Sequence, residues 1–261
     1  MKKLIKTTAW LVILTLLTAF PVMGAVIFKS GFETLLGGTN PINDTGITWG
    51  GSYPAGNNAN CSGETIAAQD CSHGRDVTHN DDSDGHAGFS FTKLDVNGDE
   101  LPSSASTWSC VKDNVTGLVW EAKTDDGGLQ DTDNLYTWYN PDPNTNGGTA
   151  GYPNGGTTCT GSDCDTYSYV QAVNALPQAL CGQRDWRMPW IEELQSIVDF
   201  SRYDPSIDNA YFPLQRSSYV WSGSPVAGTS GDVWYNEFHF GSDNPDKPYY
   251  DYRVRLVRGG Q

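Results

Sequence analysis

Asp185-Trp186-Arg187-Met188-Pro189-Trp190-Ile191-Glu192-Glu193-Leu194-Gln195-Ser196-Ile197-Val198 is the stretch on which the fold class turns. A proline at position 189 suits the start of a helix, where its missing N–H leaves no carbonyl unserved. Ile191, Leu194, Ile197 and Val198 then follow the three-and-four spacing of one buried stripe, while Glu192 and Glu193 occupy the first turn, where the helix dipole favours acids. Upstream, Asp165 or Thr166 can cap another helix that carries Val170 and Val173 on one side. It ends by Leu176, because Pro177 removes a donor and restricts its predecessor. Strand candidates surround these helices at residues 89–94, 117–121, 219–222, 233–240 and 253–257. Helices grouped between strands predict an α+β fold rather than a doubly wound sheet.

Alternation along 233–240 puts Trp234, Phe238 and Phe240 on a core face and Tyr235, Glu237 and His239 on the other. Asn236 falls on the apolar side and needs an internal hydrogen-bond partner. The outward face runs into the segment 241–250, read as a loop.

The chain opens with Lys2, Lys3 and Lys6, an apolar run from Ala9 to Phe20, and small residues up to Ala25. This is the pattern of a secretory signal peptide over residues 1–24, too short and too poorly flanked for a membrane anchor. A polar stretch at 101–107 marks a join. Before it, residues 25–106 form an irregular segment rich in Gly, Asn and Asp; after it, residues 107–261 are better patterned. The tract 141–163 reads as a surface insertion.

Removing residues 1–24 takes Lys plus Arg from 16 to 13 against 31 Asp plus Glu, a net charge of −18. Such a field repels phosphate backbones, so nucleic acid is excluded as a partner class. The cysteines are Cys61, Cys71, Cys110, Cys159, Cys164 and Cys181. Six allow fifteen pairings, of which proximity favours Cys61 with Cys71 and Cys159 with Cys164, leaving Cys110 with Cys181. Three disulfides fit an extracytoplasmic protein of the periplasm, cell surface or medium, with no stable membrane insertion once the signal is cleaved.

Several motifs occur in a fixed order: Asp113-Asn114-Val115-Thr116-Gly117-Leu118-Val119-Trp120-Glu121, Cys181, Asp185-Trp186-Arg187-Met188-Pro189, Glu193-Leu194, Tyr211-Phe212-Pro213, Val220-Trp221-Ser222 and Val254-Arg255-Leu256-Val257-Arg258. Together, over residues 107–260, they resemble the Lcl C-terminal domain family, named after a bacterial collagen-like adhesin. The resemblance implies a C-type-lectin-like domain of two helices and twisted antiparallel strands. It departs from the namesake in having no Gly-X-Y repeat to impose a trimer and a charge opposed to sulfated glycans. The calcium-dependent sugar motifs of true C-type lectins are missing, and Asn244-Pro245-Asp246 is a loose echo of one. Trp120, Trp186 and Trp221 read as core, Gly117 as a turn, and Arg187 as the partner of a carboxylate such as Asp185 or Glu193.

Two oxygen-rich turns are candidate metal sites. One holds Asp81, Asp82 and Asp84, the other Asp95, Asn97 and Asp99, and calcium is the cofactor such ligands suit, although Asp-Gly and Asn-Gly turns take the same form without an ion. Catalytic signals are poor, since His239 is the sole histidine after the join and no nucleophile elbow exists. The candidate ligand-binding residues are Tyr235, Glu237, His239, Asp243, Asn244, Asp246, Tyr249, Tyr250, Asp251 and Tyr252. They mix flat rings with acceptors, as sugars require. The expected function is a non-catalytic recognition module for glycans or a surface protein, with a structural component of the cell envelope as the alternative and a glycoside hydrolase as the third reading.

Overall fold

The computed structural model describes residues 43–51, 57–58, 69–79, 81–229 and 231–259. The expected signal segment and Cys61 lie outside the described residues. In chain order the strands are β1 (Gly50–Gly51), β2 (Asn57–Asn58), β3 (Phe91–Leu94), β4 (Glu100–Leu101), β5 (Cys110–Asp113), β6 (Val119–Glu121), β7 (Tyr219–Pro225), β8 (Val233–Glu237), β9 (Ser242–Asp246) and β10 (Val257–Arg258). The helices are α1 (Asp70–His73), α2 (Thr166–Asn174) and α3 (Ile191–Gln195). They form an α+β architecture with a β1-β2 ribbon, a five-stranded sheet ordered β10-β6-β5-β3-β4 and a three-stranded sheet ordered β7-β8-β9, every pairing antiparallel.

The five-stranded sheet runs across the join at 101–107, with Phe91 of β3 opposite Asp113 of β5 and Leu94 opposite Cys110. Both of its faces are covered. Phe91, Val111, Trp120 and Val257 point into one cluster with Leu194, Ile197, Val198, Phe212 and Phe238, and Leu94, Cys110, Val119 and Leu256 into another with Tyr169, Val173 and Trp186. A strand buried on both sides has no polar face to alternate with. The strand β5 escapes a reading by alternation for a further reason. Lys112 reaches Glu100 at 2.9 Å on the surface, while the buried Asp113 accepts the Val115 and Thr116 N–H groups at 2.9 and 3.2 Å. That carboxylate shapes the β5–β6 turn, and Gly117 occupies its left-handed position at φ +77.

The helix α2 begins as its cap demands, with Asp165 Oδ1 accepting the Ser168 N–H at 2.7 Å. The buried face is Tyr169 and Val173, and Val170 is half-buried. The helix α3 is shorter than its apolar stripe. It ends at Gln195, where the Ser196 Oγ donates to the Glu193 carbonyl at 2.7 Å. Ile197 and Val198 continue the stripe in a tightened turn of three-residue hydrogen bonds and are buried.

Two strand expectations need correction. The strand expected over 233–240 stops at Glu237. The chain turns through Phe238, which is buried, and Phe240, which is 63% exposed rather than core. The Gly241 N–H closes this turn on the Glu237 carbonyl at 2.8 Å, and the segment read as a loop becomes the edge strand β9, whose Pro245 is tolerated because an edge leaves one side unpaired. Of the strand expected over 253–257, only Val257 belongs to β10. Residues 252–254 instead thread between the sheets, the Trp221 N–H donating to the Arg253 carbonyl at 3.0 Å. The Trp120, Trp186 and Trp221 side chains are all core, and Arg187 takes Glu193, leaving Asp185 to Arg258.

Disulfides join Cys110 to Cys181 and Cys159 to Cys164; Cys71 is also disulfide-bonded, and none of the described cysteines is free. Among the described residues no helix is long and apolar enough to cross a membrane.

Candidate functional site

Antiparallel register decides which side chains share a face of the three-stranded sheet. Tyr219 lies opposite Glu237 and Trp221 opposite Tyr235, and Tyr235 and Glu237 lie opposite Asn244 and Ser242. Tyr219, Trp221, Tyr235, Glu237, Asn244 and Asp246 therefore project from one face. Asp243 pairs with Asn236 and projects from the other. On that other face the Gln195 Nε2 donates to Asn236 Oδ1 at 2.6 Å, a partner for the oxygen of this buried amide, whose Nδ2 is buried without one among the described residues.

Tyr252 crosses the tyrosine face. Its ring sits 4.4 Å from that of Trp221, 4.9 Å from Tyr219 and 5.0 Å from Tyr235, sealing the indole from solvent. Tyr250 stacks on Tyr252 at 6.3 Å with planes 6° apart, Tyr249 lies 4.8 Å from Tyr250, and Tyr152 meets Tyr249 edge-on at 5.6 Å. The result is a continuous run of rings whose inner members are half-buried. Tyr152, Tyr219, Tyr249 and Tyr250 keep between 40% and 49% of their surface exposed. Aromatic pairs in these offset and edge-on geometries hold one another rigid, at about 0.5–1.5 kcal/mol per pair.

Acceptors border the rings. The Tyr252 hydroxyl donates to Asp246 Oδ2, and burial together with that carboxylate raises the phenol far above its ordinary range. Burial, then the charge of Asp246, raises Tyr235 as well. These hydroxyls therefore stay protonated at neutral pH, able to donate and accept. Glu237 Oε2 accepts from the Ser242 hydroxyl, and Asn244 is exposed beside it. Asp251 is drawn back from the surface, with Oδ2 accepting the Thr157 N–H at 3.1 Å and Oδ1 buried without a partner among the described residues.

Of the ten expected ligand residues, the structure thus gathers Tyr235, Glu237, Asn244, Asp246, Tyr249, Tyr250 and Tyr252 on one surface. His239 lies past the end of β8, with Nδ1 3.4 Å from Asp204 Oδ1. Asp204 also receives the Ser217 side chain. The carboxylate therefore stands between hydroxyl and imidazole, the reverse of a nucleophile-base-orienter arrangement. Tyr152 and Tyr219 belong to the surface but carry no signal in their own neighbourhoods, because Tyr152 is far from Tyr249 in sequence and only folding joins them.

The expected metal ligands close separate turns. Asp81 Oδ1 accepts from Ser83 N–H, Asp82 Oδ1 from Ala87 N–H and Asp84 Oδ2 from the Ser90 hydroxyl. Asp95 Oδ1 accepts from both Asn97 and Asp99 N–H groups. Among the described residues the three-carboxylate group whose oxygens converge, within 4.8 Å, is Asp125, Asp131 and Asp133. Asp133 there is already matched by Arg216 at 3.2 Å and Arg253 at 3.1 Å, which hold its carboxyl below the usual range.

The family model of the Lcl C-terminal domain matches residues 109–258. No curated protein and no solved structure matches the chain.

Proposed function

The chain belongs to the Lcl C-terminal domain family, and from that premise we propose that it is an exported, non-catalytic recognition module that binds glycans on surfaces through the tyrosine face. The observation that supports this reading is the run from Tyr152 through Tyr249, Tyr250 and Tyr252 to Tyr235 and Tyr219, with Glu237, Asn244 and Asp246 at its border. Pyranose rings have apolar C–H faces and equatorial hydroxyls; exposed phenols cover the former while hydroxyls, amides and carboxylates bond the latter. The strongly acidic chain directs the preference toward neutral glycans, since an anionic one approaches against the field. The disulfides fit the oxidising side of a membrane.

The test is glycan-array binding by wild-type protein displayed at avidity-enhancing density, beside a Tyr249→Ala/Tyr250→Ala variant. Both side chains are about half exposed but pack on each other, on Tyr152 and on Tyr252, so the variant should stay folded with a melting temperature lowered by several degrees, while binding falls at least about tenfold, or ~1.4 kcal/mol. Absence of binding to any neutral or acidic glycan counts against the reading, and binding indifferent to the double variant moves the site elsewhere.

A further inference from the structure

A second place in the fold offers rings and unused polar groups. A pocket of about 320 Å³ opens between the outer side of α2, the segment 138–140 and the approach to α3. Its inner wall is Trp138, Val170 and Met188; its mouth is framed by Tyr139, Tyr167 and Trp190. Tyr139 and Tyr167 meet edge-on at 6.0 Å, which sets the two rings at right angles around the opening.

Four polar groups carried by its lining residues are left unused by the fold. Tyr139, Tyr167, Gln171 and Trp190 all line it, and the two hydroxyls, the Gln171 amide and the Trp190 Nε1–H make no hydrogen bond within the protein among the described residues. Arg187 is the only charged residue in its lining. The Arg187 fork is held by Glu193, at 2.7 Å from Nη1 and 2.6 Å from Nη2, and Nη2 donates again to the Gly259 carbonyl. An anionic ligand therefore finds no free cation, and a quaternary ammonium would meet a guanidinium within its aromatic cage. The volume lies at the small end of the roughly 300–1,000 Å³ range of ligand pockets, which suits one six-membered ring rather than an oligosaccharide.

We propose that this pocket binds the ring of a single neutral pyranose, with an apolar face of the sugar against Trp190 and its hydroxyls bonded by Gln171, Tyr139 and Tyr167. The inference rests on the glycan-recognition reading for the class of ligand, and on its own lining for the place.

The test is a titration of the isotopically labelled protein with the methyl glycosides of glucose, galactose, mannose and N-acetylglucosamine, followed through the Trp190 indole N–H resonance, which is assigned with Trp190→Phe. At least one glycoside should shift it saturably, with a Kd on the order of 1 mM. Tyr167→Ala/Gln171→Ala, which removes two exposed helix side chains, should weaken binding about tenfold, and Tyr249→Ala/Tyr250→Ala should leave it unchanged. The proposal is overturned if none of the four saturates the shift, if Tyr167→Ala/Gln171→Ala binds as tightly as wild type, or if tetramethylammonium alone produces it. Saturation here with glycan arrays indifferent to the Tyr249/Tyr250 pair refutes the tyrosine face and supports the pocket; array binding lost in that pair with no shift at Trp190 does the reverse.

Discussion

Replacing Glu121 with glutamine should destabilise the protein far more than a change of one atom suggests. The Glu121 side chain is wholly buried. Its Oε1 accepts from Lys123 Nζ at 3.2 Å, Gln130 Nε2 at 3.2 Å and the Tyr169 hydroxyl, and its Oε2 accepts the Leu256 N–H at 2.9 Å. It is also the carboxylate that compensates two interior cations. Lys123 is 5% exposed and pushed down by burial; Arg255 is 1% exposed and pushed down by burial to about 10. Removing the anion leaves both cations in a low-dielectric interior, a change that costs about 3–5 kcal/mol. For a domain of this size that lowers Tm by about 6–20 °C. Urea unfolding followed by tryptophan fluorescence measures the loss, and Lys123→Met supplies the second corner of a cycle. The double variant Glu121→Gln/Lys123→Met should lose less than the sum of the single ones, because it removes a cation together with its partner. A Glu121→Gln variant within about 0.5 kcal/mol of wild type, or strict additivity in the cycle, refutes the reasoning and means that water reaches these charges in the folded state.

Asp113 yields a pH signature: burial pushes its carboxyl up from 3.8 to about 6. A carboxyl raised in the folded state disfavours folding when ionised, so the penalty is present above pH 6 and is relieved as pH falls toward 3.8. The contribution is about 3 kcal/mol; stability should rise from pH 7 to 4.5, and Asp113→Asn should flatten that rise, whereas an unchanged profile in the variant contradicts it. Replacing Cys110 and Cys181 by serine opens a bridge spanning 71 residues and should cost about 4 kcal/mol on the chain-entropy model, read as a shift of the denaturation midpoint. Arg187→Lys cannot reproduce the two-pronged contact with Glu193 and should cost about 1–2 kcal/mol; calorimetry giving an unaltered Tm argues that the pair is dispensable.

The elements that carry their own local signal were legible in the sequence. Asp165 before an apolar-periodic run and Pro177 after it mark α2, and Pro189 with Ile191 and Leu194 marks α3, because caps, dipole and spacing act within a few residues. The same locality accounts for the Cys159–Cys164 bridge and for tyrosines crowded at 249–252. The rest depends on contacts between distant segments. The strand β5 is stable because both its neighbours and both its faces are supplied by other parts of the chain, so its own four residues show no strand pattern. The length of β8 is set by the turn that Gly241 closes, which exposes Phe240 and makes an edge strand of a supposed loop. Register then decides that Asn244 and Asp246 join the tyrosines while Asp243 faces away. The chain's own order places aromatic residues near 136–139, 152, 167 and 249–252, and the sequence determines that they are rigid, flat and polar at the tip. Only the tertiary structure brings Tyr152 against Tyr249 and Tyr139 against Tyr167, since a surface for a ligand is a property of side chains from separate segments, and the burial energy that assembles them is non-local.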